Sequence, residues 1–458
     1  MNNKNKPNII FVFSDQHRAQ AVGYNDNTQV QTPNLDKLKK NSISFSNAIS
    51  GNPVCSPYRA SLLTGQYPLT HGVFVNDVPL NPEAKTIAKI LKCEGYKTGY
   101  IGKWHINDNG RKSFIPENRR QGFDYWKVLE CTHDYNNSIY FGDNPERKKW
   151  DGYDAFAQTR DAQKYIRNHD SDSPFVLFLS WGPPHAPYQT APEKYKKMYD
   201  PDNIQLRPNV PDSGITVNPF QPEVDSNQVK KDLAGYYAHI SALDSCIGDL
   251  RETIKNEGIA ENTIFVYTSD HGDLLGSHGA YKKQRPWDES IKVPFLLNYP
   301  EQFENQEIEI EKPINCVDIM PTLLDLCGVD IPESVEGISY KPHLLGKDKL
   351  DKEAVLLECI HPFGQWLKGK GGREYRGLRT KRFTYVRERE GPWLLYDNNE
   401  DPYQLNNLIN DKSYSKVRKR LDTLLEKRLN ERNDQFLPGE KYIEKWGYET
   451  DETGTVPY

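Results

Sequence analysis

The chain has 458 residues, of which 36% are hydrophobic and 27% are charged, and its formal net charge is −5. This length suits one large α/β domain with a smaller appended one, and the negative charge argues against a general nucleic-acid-binding protein, which would need a basic face. The seven cysteines are irregularly spaced and include no CxxC pair, which argues against both a disulfide framework and a zinc cluster.

The beginning of the chain shows no targeting segment. The first apolar run, residues 9–13, is too short for a signal peptide, and no stretch approaches the roughly 20 apolar residues of a membrane span. As written, the sequence predicts a cytoplasmic protein; a periplasmic or secreted one is the alternative if a leader was removed. We expect neither nucleic acid nor membrane among its partners, and the sequence does not indicate an oligomeric state.

Short apolar runs predict buried strands, and helical patterns fall between them. The predicted strands are residues 8–14, 99–101, 174–180, 263–269 and 294–298, and the predicted helices are residues 86–94, 153–168, 233–254 and 318–327. This alternation predicts an α/β fold with a mostly parallel central sheet covered by helices on both faces. Residues 201–227 are proline-rich and without pattern, which predicts a surface excursion.

The pattern changes after about residue 350. Closely spaced strands are predicted at residues 354–359, 375–380, 383–387 and 393–396, and an amphipathic helix at residues 415–429. This spacing predicts a smaller antiparallel sheet. The predicted domains are therefore a catalytic domain, 1–350, and a C-terminal subdomain, 351–458, that packs near the active site.

Ionisable and amide side chains follow four of the predicted strands. Open parallel sheets bind ligands beyond the C-terminal ends of their strands, so these side chains predict one shared site. Carboxylate and amide oxygens suit a hard cation, and calcium accepts a mixed shell more readily than magnesium does. The residues are Asp15, Gln16, Lys103, His105, His185, Asp270 and His271.

Residues 55–65, CSPYRASLLTG, place a thiol at a predicted helix start. Ser56 can cap this helix, Pro57 suits its first turn, and Gly65 suits its end. The helix dipole and Arg59 favour an anion near Cys55. A lone cysteine is usually a core residue, but the C-x-P-x-R spacing before a helix of small residues favours a functional one.

The segment CSPYR with its trailing ASLLTG resembles the signature of the type I, formylglycine-dependent sulfatases of the alkaline-phosphatase-like superfamily. Three further segments are similar to that family: GKWH at residues 102–105, PHAP at residues 184–187, and HGAYKK at residues 278–283. In the last segment the position of Trp287 selects Lys283 over Lys282. The similarity runs from residue 8 to about 300 and continues more weakly towards the C-terminus.

The resemblance implies hydrolysis of a sulfate ester. It implies that a maturation enzyme converts Cys55 to formylglycine, and that the hydrate of this aldehyde attacks sulfur to form a covalent sulfo-enzyme. It also implies a calcium site in which residue 55 takes part. The other implied calcium ligands are Asp15, Gln16, Asp270 and His271.

The remaining motif residues take roles that the resemblance implies. Arg59 holds the hydrate, while Lys103 and Lys283 offset the charge of the sulfate oxygens. His185, with Lys283, donates a proton to the leaving alcohol. His105 takes a proton from the second hydroxyl, which expels sulfate and restores the aldehyde.

The substrate is less well defined by the sequence. Aromatic residues make up 11% of the chain and suit sugar rings, so we expect a sulfated saccharide. Two alternatives remain open: a phosphonate or phosphate ester hydrolase of the same superfamily, against which GKWH argues, and an unmodified relative that only binds sulfated sugars. The predicted substrate-binding residues are His133, His361, Arg373 and Arg376.

Overall fold

The computed structural model describes residues 6–170, 172–347, 350 and 352–458. Eight strands form its central sheet: β1 (Asn8–Asp15), β2 (Ile43–Phe45), β3 (Lys97–Lys103), β4 (Tyr125–Leu129), β5 (Phe175–Pro184), β6 (Thr263–Ser269), β7 (Leu296–Asn298) and β8 (Ile308–Ile310). Their order is β8-β2-β7-β6-β1-β5-β3-β4. Within this sheet β7 runs antiparallel to both neighbours, whereas the other pairs are parallel.

Strand β1 lies at the centre of the sheet and is buried on both faces. Ile9 and Phe11 belong to one apolar cluster, whereas Ile10 and Val12 belong to another on the opposite face. Successive side chains of a strand point to opposite faces. A continuous apolar run such as residues 9–13 is therefore what a doubly covered strand requires.

Helices cover both faces of the central sheet. The six main helices are α1 (Pro33–Lys39), α2 (Cys55–Thr64), α3 (Ile87–Cys93), α4 (Asp154–Arg167), α5 (Ser226–Asn256) and α6 (Ile319–Leu326). Helices α2, α3 and α6 pack in the cluster that contains Phe11, and α1, α4 and α5 pack in the other. Shorter helices are Pro68–His71, Glu193–Lys196, Asp288–Ile291, Pro300–Phe303 and Lys341–Leu344.

A four-stranded antiparallel sheet and two helices follow towards the C-terminus: β9 (Ala354–Cys359), β10 (Tyr375–Thr380), β11 (Phe383–Glu388), β12 (Gly391–Asp397), α7 (Ser415–Glu431) and α8 (Gly439–Trp446). The strand order is β9-β10-β11-β12. Buried side chains of this part, including Leu356 and Leu421, extend the cluster that contains Phe11. Two further two-stranded pairs join Ala48–Ile49 to Ile314–Asn315 and Ile139–Tyr140 to Lys148–Lys149.

The predicted fold class is confirmed: the central sheet is mostly parallel and the smaller sheet is antiparallel. The strand predicted at residues 294–298 is present but antiparallel, and the strands β2, β4 and β8 were not predicted. The excursion at 201–227 is more ordered than predicted, because Ile215 and Val224 form a bridge and α5 already begins at Ser226. The domain boundary at residue 350 stays a prediction. Across the described residues, no helix combines the length and apolar character that a membrane crossing needs.

Candidate active site

The C-terminal ends of four parallel strands meet at one edge of the central sheet. Asp15 ends β1, Lys103 ends β3, His185 follows β5, and Asp270 follows β6. Strands β1 and β6 are paired in register up to Ser14 and Ser269, so Asp15 and Asp270 emerge side by side. The structure therefore brings together the polar strand ends that the sequence singled out.

Four side chains at this edge form a candidate metal centre. The ligand atoms of Asp15, Cys55, Asp270 and His271 all lie within 4.8 Å of one another, and all four residues are buried. Gln16 lies beside them: its backbone N–H donates to Asp270 Oδ1 at 3.0 Å. Its side-chain Nε2 donates to Asp273 Oδ2 at 2.6 Å, while the buried Oε1 has no hydrogen-bond partner among the described residues.

This donor set fits a hard cation. A buried amide oxygen without a donor is costly, and two buried carboxylates side by side repel each other. A cation that accepts oxygen ligands would remove both costs. Asp15, Gln16 and Asp270 supply these oxygens, and His271 Nε2 lies 3.5 Å from a carboxylate oxygen of each aspartate.

The electrostatics of the cluster separate its two carboxyl groups. Burial favours the neutral form of Asp15, but the ammonium groups of Lys103 and Lys283 outweigh it and hold the pKa of Asp15 well below its usual value. Burial and the charge of Asp15 raise the pKa of Asp270. Burial also opposes ionisation of Cys55, yet Lys103 and Lys283 lower the pKa of this thiol well below its usual value.

Helix α2 begins at Cys55 and holds its sulfur in the centre of the cluster. Val54 is the N-cap residue, and no side chain caps the helix, so the predicted cap by Ser56 is wrong. The Ser56 side chain is one residue inside the helix, and its backbone N–H donates to Asn76 Oδ1 at 3.1 Å. The helix ends as predicted at Gly65, whose φ of 65° lies in the left-handed region that glycine favours.

Cations surround the Cys55 sulfur. Lys283 Nζ lies 3.0 Å from Sγ, and His271 Nε2 lies 3.2 Å from it. Lys103 Nζ binds Asp15 Oδ2 at 2.5 Å, and the Asp15 carboxylate is itself 3.6 Å from Sγ. An anionic group at position 55 would therefore face two ammonium groups.

Arg59, one turn along α2, is buried and ties three elements together. Its Nη1 donates to Lys103 O at 2.7 Å and to Ser180 Oγ at 2.8 Å. Its Nη2 donates to Asp270 Oδ2 at 3.1 Å. Arg59 therefore fixes the Asp270 carboxylate and the end of β3, and it supplies positive charge behind the metal cluster.

Two histidines offer proton-transfer groups near this cluster. His185 Nδ1 donates to Ala186 O at 2.8 Å, which leaves Nε2 free to act. Burial and the charge of Lys283 lower the pKa of His185 well below its usual value. His105 Nε2 lies 3.2 Å from Asp77 Oδ1, and its ring is almost completely buried.

Comparison with known proteins identifies the family. A family model described as Sulfatase matches residues 7–329 of the chain. The chain belongs to the sulfatase family. A second model, described as N-sulphoglucosamine sulphohydrolase, C-terminal, matches residues 276–432 of this sulfatase. The two matches together cover both the central sheet and the C-terminal sheet, as expected for the alkaline-phosphatase-like superfamily.

Individual sulfatases resemble this one over almost their full length. An "Ulvan-active sulfatase" from Formosa agariphila is 42% identical over 448 residues, which cover 97% of this chain and 85% of that protein. The structure of a protein assigned as the sulfatase yidJ from Bacteroides fragilis is 30% identical with a TM-score of 0.83, covering 96% and 98% of the two chains. A structure solved with D-glucosamine-2-N,6-O-disulfate, described as its substrate, is 25% identical with a TM-score of 0.83, covering 95% and 100%.

The predicted substrate residues of this sulfatase lie in different surroundings. His133 stacks on His185, with ring centroids 4.6 Å apart, so it borders the site. His361 is mostly buried, and neither ring nitrogen has a partner among the described residues. Arg373 is half-exposed, pairs with Glu388 and lies over the Trp393 ring.

Arg376 does not fit its predicted role. It has no exposed surface, and its Nε donates to Asp434 Oδ2 at 2.5 Å. This burial removes the surface that a saccharide would need, because the Arg376 guanidinium faces Asp434 and Phe436 in the segment between α7 and α8. The sequence predicted a substrate contact at Arg376, and it could not show that a carboxylate 58 residues later binds the guanidinium.

Sequence reasoning missed several polar residues that shape the site. Asp77 bonds to both His105 and Arg111, and Asp273 holds the Gln16 amide. Asp273 stands three residues after Asp270, so its position in the S-D-H-G-D segment was an available signal. Asp77 and Arg111 lie on separate loops and matched no motif, and the sequence therefore offered no reason to pair them.

Proposed function

We propose that this sulfatase hydrolyses sulfate esters of a carbohydrate, with a formylglycine made from Cys55 and a bound calcium ion. The observation that carries the proposal is the surrounding of Cys55 Sγ by Lys283 Nζ, His271 Nε2 and the Asp15 carboxylate, all within 3.6 Å. An oxygen nucleophile in the place of this sulfur would lie next to the metal-binding side chains and next to the Lys283 ammonium group, which can bind a sulfate oxygen.

Five residues would hold the calcium ion: Asp15, Gln16, residue 55, Asp270 and His271. The mixture of carboxylate, amide and imidazole ligands favours calcium over magnesium, which demands a stricter octahedron. A bound calcium ion would supply Lewis-acid neutralisation of the sulfate oxygens. Asp273 and Arg59 keep two of the ligands in place, since they bond to Gln16 and Asp270 respectively.

Modification of Cys55 is favoured by its position. An unmodified thiol surrounded by ammonium groups is a thiolate, which would itself be a metal ligand or a nucleophile. The CSPYR motif instead supports conversion to formylglycine by a maturation enzyme of the host. The hydrate at position 55 then supplies the attacking oxygen.

The chain's own residues supply the charge and the proton transfers. Lys103 and Lys283 stabilise the negative charge that develops on the sulfate oxygens. His185, whose Nε2 is free, donates a proton to the leaving alcohol together with Lys283. His105 accepts a proton from the group at position 55 when sulfate leaves.

A carbohydrate substrate is supported by the relatives. The Formosa agariphila relative is described as ulvan-active, and a structural neighbour binds a sulfated glucosamine. His133, His361 and Arg373 remain the proposed saccharide contacts. A phosphonate ester hydrolase is the second candidate function, supported by the shared fold and nucleophile helix.

Two measurements test the proposed function. Mass spectrometry of the peptide that contains Cys55, from protein made in its native host, should show formylglycine; a persistent thiol would instead favour a binding protein for sulfated sugars. Rates on aryl sulfate and aryl phosphonate should then differ in favour of the sulfate. Faster turnover of the phosphonate would overturn the assignment, and defined sulfated oligosaccharides would identify the sugar.

A further inference from the structure

The environment of His105 defines which ring nitrogen carries the proton. Nε2 lies 3.2 Å from Asp77 Oδ1, and both residues are at most 5% exposed. Asp77 is ionised, since Arg111 and His105 hold its pKa well below the usual value despite its burial. An ionised carboxylate only accepts hydrogen bonds, so Nε2 must be the donor. Nδ1 is buried and has no hydrogen-bond partner among the described residues.

Arg111 fixes Asp77 from the other side. Its Nε donates to Asp77 Oδ1 at 2.9 Å and its Nη2 donates to Oδ2 at 2.7 Å. This two-point geometry holds a carboxylate in one orientation. The loop that holds Asp77 is also joined to the loop that holds His105 through their backbones, because Leu80 N–H donates to Ile106 O at 3.0 Å.

The backbone at both ends of the His105–Asp77 contact is unusual. Asp77 has φ 63° and His105 has φ 62°, which is the left-handed region that non-glycine residues rarely adopt. Such conformations persist where surrounding contacts impose them, and they concentrate at functional sites. The fold therefore constrains both partners to meet.

The other carboxyl group beside His105 does not serve as its anionic partner. Burial raises the pKa of Glu130 to about 8, so this group is mostly neutral at pH 7. Its Oε1 accepts from the backbone N–H of Asn107 at 2.6 Å. Asp77 is thus the carboxylate that sets the state of the His105 ring.

The ring of Tyr458 covers one side of Arg111. The Arg111 guanidinium lies over the ring of Tyr458, 3.6 Å from its centroid, and Arg111 itself is only 22% exposed. A ring stacked on a guanidinium excludes water from one of its faces. Tyr458 therefore shields one face of the guanidinium that binds Asp77.

We infer that Asp77 and Arg111 are positioning residues that hold His105 with Nε2–H towards Asp77 and Nδ1 as the proton acceptor, and that Tyr458 supports the Arg111 guanidinium. This inference deepens the proposed function and rests on it for the role of His105. In the step itself, the O–H bond of the free hydroxyl at position 55 breaks and its proton forms a new N–H bond at Nδ1. The electron pair of that O–H bond becomes the second carbon–oxygen bond of the aldehyde, while the carbon–oxygen bond to the sulfate group breaks and sulfate leaves with its electron pair. Asp77 then stabilises the imidazolium.

Nitrogen NMR of the folded protein tests the tautomer without any turnover. With ¹⁵N-labelled histidine, and with the His105→Gln variant to assign the signal, the neutral ring of wild type should show Nε2 protonated and Nδ1 unprotonated. Protonation at Nδ1 in the neutral ring would overturn the inference. This readout does not depend on modification of Cys55, so it fails or succeeds separately from the proposed function.

Kinetics on an aryl sulfate test the positioning role. Asp77→Asn should lower kcat by about 10²–10⁴-fold with KM within about threefold, because the amide can donate to Nε2 and impose the wrong tautomer. Arg111→Ala should lower kcat less, and Arg111→Lys should restore part of that loss. Tyr458→Ala should lower kcat a few-fold, whereas Tyr458→Phe keeps the ring and should match wild type.

A matched control separates positioning from general destabilisation. Asp397 is a buried carboxylate that binds Arg382 in the same two-point way, at 2.8 and 2.6 Å. Asp397→Asn should lower thermal stability and leave kcat per folded molecule unchanged. If Asp77→Asn keeps kcat within about threefold of wild type, the inference is wrong. If that variant does not fold, the NMR measurement on wild type decides.

Discussion

The C-terminal sheet and the active site bury charged side chains in different ways. In the C-terminal sheet the guanidinium groups of Arg376 and Arg382 bind the carboxylates of Asp434 and Asp397. Each of these charges has its partner within the fold. Such pairs add little net stability compared with apolar residues, but breaking one leaves an uncompensated buried charge.

In the active site, by contrast, some buried polar and charged groups have no such partner among the described residues. Asp15 and Asp270 share one buried cluster, and the Gln16 Oε1 atom has no donor among the described residues. Lys283 faces the Cys55 sulfur, and no carboxylate of the described residues lies within 4 Å of its Nζ. Lys103 and Arg59 pair with the two carboxylates, but the Gln16 amide oxygen and the Lys283 ammonium group remain available to ligands from outside the chain. The ion pairs of the C-terminal sheet thus maintain the fold, whereas the partly unpaired cluster of the active site carries the proposed chemistry.

The largest expected effect that tests this difference between the two regions comes from a substitution at position 55. Cys55→Ser should reduce sulfate ester turnover by about 10⁴-fold or more, because it removes the nucleophile precursor, while calcium binding and substrate binding persist. Turnover of an aryl sulfate and calorimetric calcium titration measure the two effects. Cys131→Ser is the matched control, since Lys103 also lowers the pKa of this buried thiol against its burial; it should keep activity within a few-fold. Normal turnover by Cys55→Ser would contradict the proposed chemistry.

Removal of the metal should come next in size. Chelation with EDTA should abolish turnover and lower Tm, because it removes a ligand that binds the folded state and leaves the buried Gln16 Oε1 without a partner among the described residues. At a calcium concentration 100 times Kd, binding stabilises the fold by about 2.7 kcal/mol, and added calcium should restore both properties. The Asp270→Ala variant should show no change of Tm with EDTA. An equal shift of Tm in that variant would place the metal elsewhere.

Opening a closed pair should affect stability and not catalysis. Asp434→Ala leaves the Arg376 guanidinium buried and unpaired, so the free energy of unfolding should fall by about 3–5 kcal/mol while kcat and KM of the folded fraction stay unchanged. Urea unfolding and steady-state kinetics measure these quantities. A higher KM without loss of stability would return Arg376 to the substrate site.

A smaller effect concerns a buried histidine of helix α5. Burial lowers the pKa of His239 to about 4, whereas the unfolded chain protonates histidine near pH 6.5. The stability that comes from its neutral form is therefore complete above pH 6.5 and is lost as the pH falls towards 4. Between pH 7.5 and 5 this histidine should account for about 2 kcal/mol of the decrease in unfolding free energy.

His239→Gln should flatten that pH dependence. The glutamine side chain does not titrate, so unfolding curves at pH 7.5 and 5 should differ by about 2 kcal/mol less than in wild type. His17 and His71 also have lowered pKa values through burial, so part of the slope should remain. An unchanged slope in His239→Gln would show that His239 is already charged in the folded state.

Much of the fold could be predicted from local patterns. Residues 9–13 and 263–269 are long apolar runs, and they formed the two central strands whose ends carry Asp15 and Asp270. The strands β2 and β8 were missed because three residues are too few to show a period. The direction of β7 was missed because strand direction depends on the path of the chain and not on local composition.

The site was predictable where its residues lay in motifs and not where loops met. Cys55, Lys103 and Lys283 stood in segments that resemble a known family, and the structure brings them together. The contact between Asp77 and Arg111 depends on how two loops fold over each other. The burial of Arg376 depends on a carboxylate in a distant segment, which no local pattern contains.

The stacking of Tyr458 on Arg111 has a practical consequence for making the protein. An affinity tag attached directly after Tyr458 would begin next to the loop that supports His105, and it could alter turnover in a way that resembles a catalytic defect. A tag before β1 is safer, because Asn8 begins this strand and the metal cluster lies at the strand's other end, at Asp15. Kinetic comparisons between variants should therefore use a tag placed before residue 6 or removed by cleavage.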